Sequence, residues 1–439
     1  MEPCVDVGEG TRLGRQEQRR VVVTGVGLVS PLGSTAPLAW KRLLEGRSGV
    51  RRIPEQVCAD LPTKIAGVVL DRTEDLEGGF DPTTVAEPKD IRRMDRFILM
   101  ALEAARQAAE HSGWKPTGES DACATATIVA SGIGGFSSLS EAVRTTDSRG
   151  PGRLSPFTVP SFLVNLAAGH LSIRHGFKGP IGAPATACAA SIQAIGEGLR
   201  LIRGGEAQVA FCGGSEAAIH RVSLGGFAAA KTLSTRYNET PELASRPFDR
   251  DRDGFVLGEG AGMLVLESLD HALARGATPL AEVVGYATTS DAYHITSGPP
   301  DGNGAYRSMR GALQMAGVLP SEVDHLNAHA TSTQVGDRAE LAAIRELFRG
   351  VAGPAISATK SATGHLLGAA GVVASIFSVL SLRDQVIPPI LNLVHPDDEA
   401  GDLDLVHTAV RPRPMSTVLV NGFGFGGVNA SLVFKKITA

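Results

Sequence analysis

The segment Pro180–Gly214, PIGAPATACAASIQAIGEGLRLIRGGEAQVAFCGG, decides the fold. Pro180 to Ala187 is apolar and punctuated by Gly and Pro. Ile192, Ile195, Leu199 and Ile202 then recur at helical spacing, and Gly204-Gly205 stops the helix. Ala207 to Cys212 reads as a buried strand followed by Gly213-Gly214. Cys188 falls at the junction, at the helix N-terminus. There the helix dipole and free N–H groups lower a thiol's pKa and can hold an oxyanion. Buried cysteines more often only pack, so the junction alone does not make Cys188 a nucleophile. Cys212, inside the strand, and Cys123, in DACATATIV, read as packing residues.

Outward from this segment the same alternation continues. Val21-Val22-Val23-Thr24 reads as a buried strand that enters a turn at Gly25 and Gly27. Pro88 to His111 reads as a helix, with Met94, Phe97, Ile98, Ala101 and Ala105 on one face. Thr127–Ala130, Gly262–Leu266, a run from about Ala281, Thr417–Asn421 and Ala430–Phe434 read as strands. Strands alternating with helices predict an α/β fold with mostly buried strands. The expected organisation is an N-terminal extension over 1–19, a first half over 20–277 and a second half over 278–439. No Pro- or Ser-rich linker marks the division.

Composition removes several classes. The 439 residues are 43% hydrophobic and 20% charged, a globular balance. A net charge of −4 leaves no global basic field, so nucleic acid is not expected as a partner. The first 20 residues lack an apolar core and carry four acidic residues, unlike a secretory or transit segment. Leu366 to Leu382, at 17 uncharged residues, is short for a membrane span and reads as a buried helix; no membrane insertion is expected. Five cysteines without CxxC give neither a disulfide framework nor a metal site, and fit a reducing cytoplasmic compartment. No GxxxxGK[ST] occurs. Gly258-Glu259-Gly260 and the glycines of Gly422–Gly427 lack the strand–helix context of dinucleotide sites.

Two histidines stand beside the cysteine as chemical candidates. His329 lies in NAHATSTQVGD, dense in hydrogen-bonding side chains; His365 lies in TKSATGHLLGAAG, five residues after Lys360. A thiol and two imidazoles suit acyl chemistry through an enolate or oxyanion. Zinc on Cys188, His329 and His365 would lack a fourth ligand.

These segments, with ATACAAS around Cys188 and NGFGFGGVNASL near the C-terminus, resemble the β-ketoacyl-acyl carrier protein synthases, and most closely the elongating type II enzymes. The resemblance runs from VVVTGVGLVSPLG to VNASLVFKK. It implies the thiolase fold: two related α/β halves in a five-layered αβαβα arrangement, as a homodimer. It implies ping-pong condensation in which Cys188 takes an acyl chain from acyl carrier protein. His329 and His365 would then stabilise the enolate of decarboxylating malonyl-carrier protein. Cys188 and Phe425 N–H groups would form the oxyanion hole, Phe425 would gate the site, and Lys360 would organise the histidines. Thr331, Thr333, Thr296 and Phe227 would bind substrate together with Ile133 of the acyl pocket. No cofactor is implied, since the phosphopantetheine arm arrives on the carrier protein.

The resemblance also places a docking patch for the acidic carrier protein on Lys89, Arg92 and Arg93, extended by Arg153 and Lys231. The chain departs from the family pattern at three positions. Ala374 stands nine residues after His365, where a Glu usually pairs with the motif lysine; Glu340 or water is expected to compensate. Thr158 replaces a usual Phe, and Gly422 a usual Ser.

Overall fold

The computed structural model describes residues 19–407 and 409–438, so residues 1–18 of the expected extension lie outside it. Ten strands form its main sheet: β1 (Val21–Val29), β2 (Thr125–Ala130), β3 (Ile181–Gly182), β4 (Val209–Glu216), β5 (Gly260–Ser268), β6 (Ala281–Ser290), β7 (His325–Asn327), β8 (Ala355–Ser357), β9 (Thr417–Gly424) and β10 (Val428–Lys435). Their order is β8-β7-β9-β10-β6-β1-β5-β4-β2-β3. Outward from the central antiparallel β1–β6 pair, each side runs antiparallel, antiparallel, parallel, parallel. The second five strands therefore repeat the topology of the first five. The residue 277 chosen for the division falls in the connection between β5 and β6.

Helices complete five layers. Outside the first half lie α1 (Arg96–Ser112) and α2 (Leu166–His175). Between the halves lies α3 (Ala190–Gly204); outside the second half lie α4 (Asn303–Ala316) and α5 (Gln334–Leu347). The partner of α3 in the central layer is α6 (Ala370–Asp384). Every residue from Ala370 to Leu382 is buried, because α6 has sheet on both sides. Its segment is apolar enough to cross a membrane by length and composition, yet 89% of that window is buried inside the protein. Burying each of Ile376, Phe377 and Leu380 contributes about 1.5–3 kcal/mol.

Two local expectations need correction. Gly25 and Gly27 lie within β1, at and just after a bulge, and do not end it. They are small because α1 crosses there: an added Cβ would meet the Ala108 carbonyl oxygen at 2.4 Å and that of Ala104 at 1.9 Å. The helix expected from Pro88 to His111 is broken into Pro88–Ile91 and α1. Asp95 caps α1 by accepting the Phe97 N–H, and its other oxygen accepts Ser138 Oγ at 2.7 Å. That cap stops the short helix from running through.

Candidate active site

The two central helices bring the site together. Each is preceded by a single 3-10 turn, Ala187–Ala189 before α3 and Leu367–Ala369 before α6. Each turn opens on a non-glycine residue with positive φ, Ala187 at 49° and Leu367 at 45°. The halves thus present equivalent elbows, one carrying Cys188 and the other following His365. His329 sits in the loop after β7, and Lys360 in the segment after β8. Phe425 lies in the β9–β10 hairpin.

His365 Nε2 lies 2.9 Å from Cys188 Sγ. The His329 and His365 rings meet edge to face with centroids 5.5 Å apart. Phe255 and Phe423 pack on them from either side. Burial holds both imidazoles well below their ordinary pKa, and the Lys360 ammonium pushes the same way. Both are neutral near pH 7 and each offers one N–H donor. Neither Nδ1 has a partner among the described residues.

The thiol departs from expectation. Burial pushes Cys188 up to about 12, although Lys360 and the backbone N–H groups of Phe425 and Cys188 pull it down. The helix terminus therefore moderates the cost of a thiolate and does not make it the resting form. The N–H groups that face Sγ are those expected to form the oxyanion hole. Gly424 allows their approach, since a Cβ there would lie 2.9 Å from the Thr186 carbonyl oxygen and 3.2 Å from the Cys188 nitrogen. Gly422 is packed as tightly, its Cβ position 2.8 Å from Ile192 Cδ1.

Lys360 is buried, and desolvation lowers it to about 8; Glu340 is the largest charge working to keep it protonated. Glu340 also anchors the His329 loop. Its oxygens accept the backbone N–H of His329 at 2.9 Å, that of Ala330 at 2.6 Å and Asn421 Nδ2 at 3.0 Å. On α6, the Ala374 carbonyl accepts Asn327 Nδ2 at 3.2 Å, while Asn327 Oδ1 is buried without a partner among the described residues.

A cavity of about 520 Å³ joins the substrate candidates. Cys188, His329, His365, Thr331, Thr333, Thr296, Ile133, Phe227 and Phe425 all line it. Thr331 and Thr333 hydroxyls stand 3.1 Å apart. Their turn is clamped by Asp337, which accepts the Ser332 and Thr333 N–H groups, and by buried Arg252, which donates to the Thr333 and Gln334 carbonyls. Phe425, 39% exposed, stands at the solvent side.

Of the docking candidates, only Lys231 lines this cavity. Lys89, Arg92, Arg93 and Arg153 are exposed elsewhere. Arg93 stacks over Phe157 at 4.3 Å, which joins the turn after Pro88–Ile91 to the segment bearing Arg153. Arg93 also pairs with Asp90 at 3.1 Å. Cys123 is exposed and does not pack, whereas Cys212 is buried. Among the described residues no cluster of three or more His, Cys, Asp or Glu could hold a metal ion. Sequence reading passed over Glu216, Asp337, Arg252 and Asn421. A lone polar residue on an amphipathic helix or strand end carries no pattern that separates it from a solvated face.

The comparisons with known proteins agree with this geometry. The chain matches the β-ketoacyl synthase N-terminal domain over residues 18–272 and the C-terminal domain over residues 280–394. It is 49% identical over 421 residues to 3-oxoacyl-[acyl-carrier-protein] synthase 2 of Rhizobium meliloti (strain 1021), covering 96% of this chain and 99% of that one. It is 45% identical over 422 residues to the Vibrio harveyi protein of the same name, with 96% and 99% covered. A β-ketoacyl synthase structure from Burkholderia phymatum STM815 superposes with a TM-score of 0.87 at 32% identity, covering 96% of this chain and 100% of that one. The ketosynthase complex of a type II PKS acyl-carrier protein gives the same score at 31% identity and the same coverage. With its thiolase-like layers and its cysteine and histidines on one cavity, the chain belongs to the β-ketoacyl synthase family of acyltransferase condensing enzymes.

Proposed function

We propose that the chain elongates fatty acyl groups by two-stage condensation on Cys188. In the first stage Sγ attacks the thioester carbonyl of an acyl-carrier protein. The carrier sulfur leaves with the thiol proton, and His365 hydrogen-bonds the sulfur as charge develops. In the second stage malonyl-carrier protein loses carbon dioxide. The electron pair forms an enolate whose oxygen accepts N–H donors from His329 and His365. The enolate carbon attacks the Cys188 thioester, the Cys188 and Phe425 N–H groups hold the tetrahedral oxyanion, and the cysteine thiolate leaves and takes a proton. The product is a β-ketoacyl-carrier protein two carbons longer. The observation that carries this reading is the 2.9 Å His365–Cys188 contact beside a second neutral imidazole.

Thr331 and Thr333 would hold the amides of the carrier's phosphopantetheine arm, with no cofactor of the enzyme's own. Lys89, Arg92, Arg93, Arg153 and Lys231 would receive the acidic carrier protein. The working form would be a cytoplasmic homodimer. β3 is an edge strand whose Ile181 is 57% exposed. An uncovered edge with an exposed apolar side chain favours pairing with a second copy. The test is release of carbon dioxide and formation of β-ketoacyl-carrier protein from acyl- and malonyl-carrier proteins. Both should occur with wild type, and Cys188→Ala should form no β-ketoacyl-carrier protein. Equal product from the variant would reject the reading. For the dimer, Ile181→Asp should sediment as a monomer; an unchanged dimer would reject that edge.

A further inference from the structure

Behind the nucleophile lies a buried carboxylate that the two stages leave unused. Glu216 ends β4 and is fully buried. One oxygen accepts Ser131 Oγ at 2.9 Å and the Ile133 N–H at 3.2 Å. The other accepts the Gly132 N–H at 2.7 Å and the Gly368 N–H at 3.0 Å. Four donors converge on it, and no salt bridge to it occurs among the described residues. Its charge works against catalysis at Cys188, since it pushes the thiol up as burial does. Nucleophile activation therefore does not explain a carboxylate here.

What the carboxylate joins is informative. The turn 131–134 puts Ile133 in the cavity wall, and the segment 365–368 puts His365 and Leu367 there. The two meet glycine to glycine: a Cβ on Gly368 would lie 2.3 Å from the Gly132 nitrogen and 2.9 Å from Glu216 Oε2. A chain that displaces Ile133 pulls on the acceptor that also fixes the segment after His365.

Building on the condensing reading above, we propose that Glu216 is a positioning residue that ties the acyl-pocket wall to the His365 segment and so sets chain-length preference. Glu216→Gln keeps the shape but turns an NH2 toward backbone N–H donors, either Ile133 on one side or Gly132 and Gly368 on the other, which weakens the link between the two segments. Ser131→Ala removes one donor to Glu216 and the acceptor of the Gly134 N–H, and is the milder variant should Glu216→Gln fold poorly. The assay is kcat and KM for condensation of malonyl-carrier protein with four-carbon and twelve-carbon acyl-carrier proteins. Glu216→Gln should lower kcat with both and raise the twelve- to four-carbon ratio of kcat/KM about tenfold, through KM. Ser131→Ala should move the ratio in the same direction by a smaller factor. A purely structural role would lower the active fraction and leave the ratio alone. A ratio changed less than about threefold in Glu216→Gln, with wild type active, overturns the proposal. If wild type forms no Cys188 acyl adduct, the condensing reading itself fails.

Discussion

Replacing His329 by alanine should separate the two stages. Only His365 reaches Sγ, at 2.9 Å, while His329 stands behind it at a ring separation of 5.5 Å. The His329 loop should hold its place, because Glu340 grips the backbone N–H groups of His329 and Ala330 and not the ring. The variant then loses one of two imidazole donors to the enolate oxygen in a buried site. One such donor is worth about 2.7–4 kcal/mol, or roughly 10²–10³ in rate. Acylation uses groups that the variant keeps, so it should stay within about threefold of wild type. Rapid-quench intact mass of the Cys188 adduct reads the first stage, and carbon dioxide release from malonyl-carrier protein reads the second. Equal loss of both stages would refute the division of labour, as would decarboxylation within about threefold of wild type.

Three further outcomes follow from the same geometry. Lys360, lowered to about 8, is charged below that pH and neutral above it, so condensation should fall above about pH 8. Lys360→Met should be slow and lack that alkaline limb in its pH–rate profile. Arg252→Met would leave the buried Asp337 carboxylate without its cation while Asp397 keeps Arg338, cost about 3–5 kcal/mol in denaturant unfolding, and raise KM for the carrier through the loosened Thr333 turn. Lys89→Glu with Arg92→Glu should raise KM for carrier protein about tenfold at low salt, less at high salt, with kcat unchanged.

The sequence makes the elements legible where burial is uniform. The apolar runs at Val21, Thr127, Gly262, Thr417 and Ala430 lie in strands, and the run from Ala207 enters β4 at Val209, because a strand covered on both faces is largely apolar. Gly204-Gly205 stops α3 as expected, with Gly205 at φ 83°. Gly25 and Gly27 misled because a glycine that admits a crossing helix looks the same in sequence as one that makes a turn. The Asp95 cap was hidden inside an otherwise helical pattern. Cys188, His329 and His365 were legible from their motifs, but their electrostatics were not. Burial of the thiol depends on residues from both halves, so a helix N-terminus read alone gave the wrong sign for its pKa. Glu340, named only as a possible counter-charge to Lys360, also holds the His329 backbone. Ala374 is buried in α6, and its main-chain carbonyl accepts Asn327 Nδ2.

The most direct test of the account is intact-protein mass spectrometry of the enzyme mixed with acyl-carrier protein and then with malonyl-carrier protein. The account predicts a mass gain equal to the acyl group on Cys188, absent in Cys188→Ala, and its discharge as β-ketoacyl product on the second addition. No adduct with any acyl chain length, or an adduct that malonyl-carrier protein fails to discharge, would contradict it.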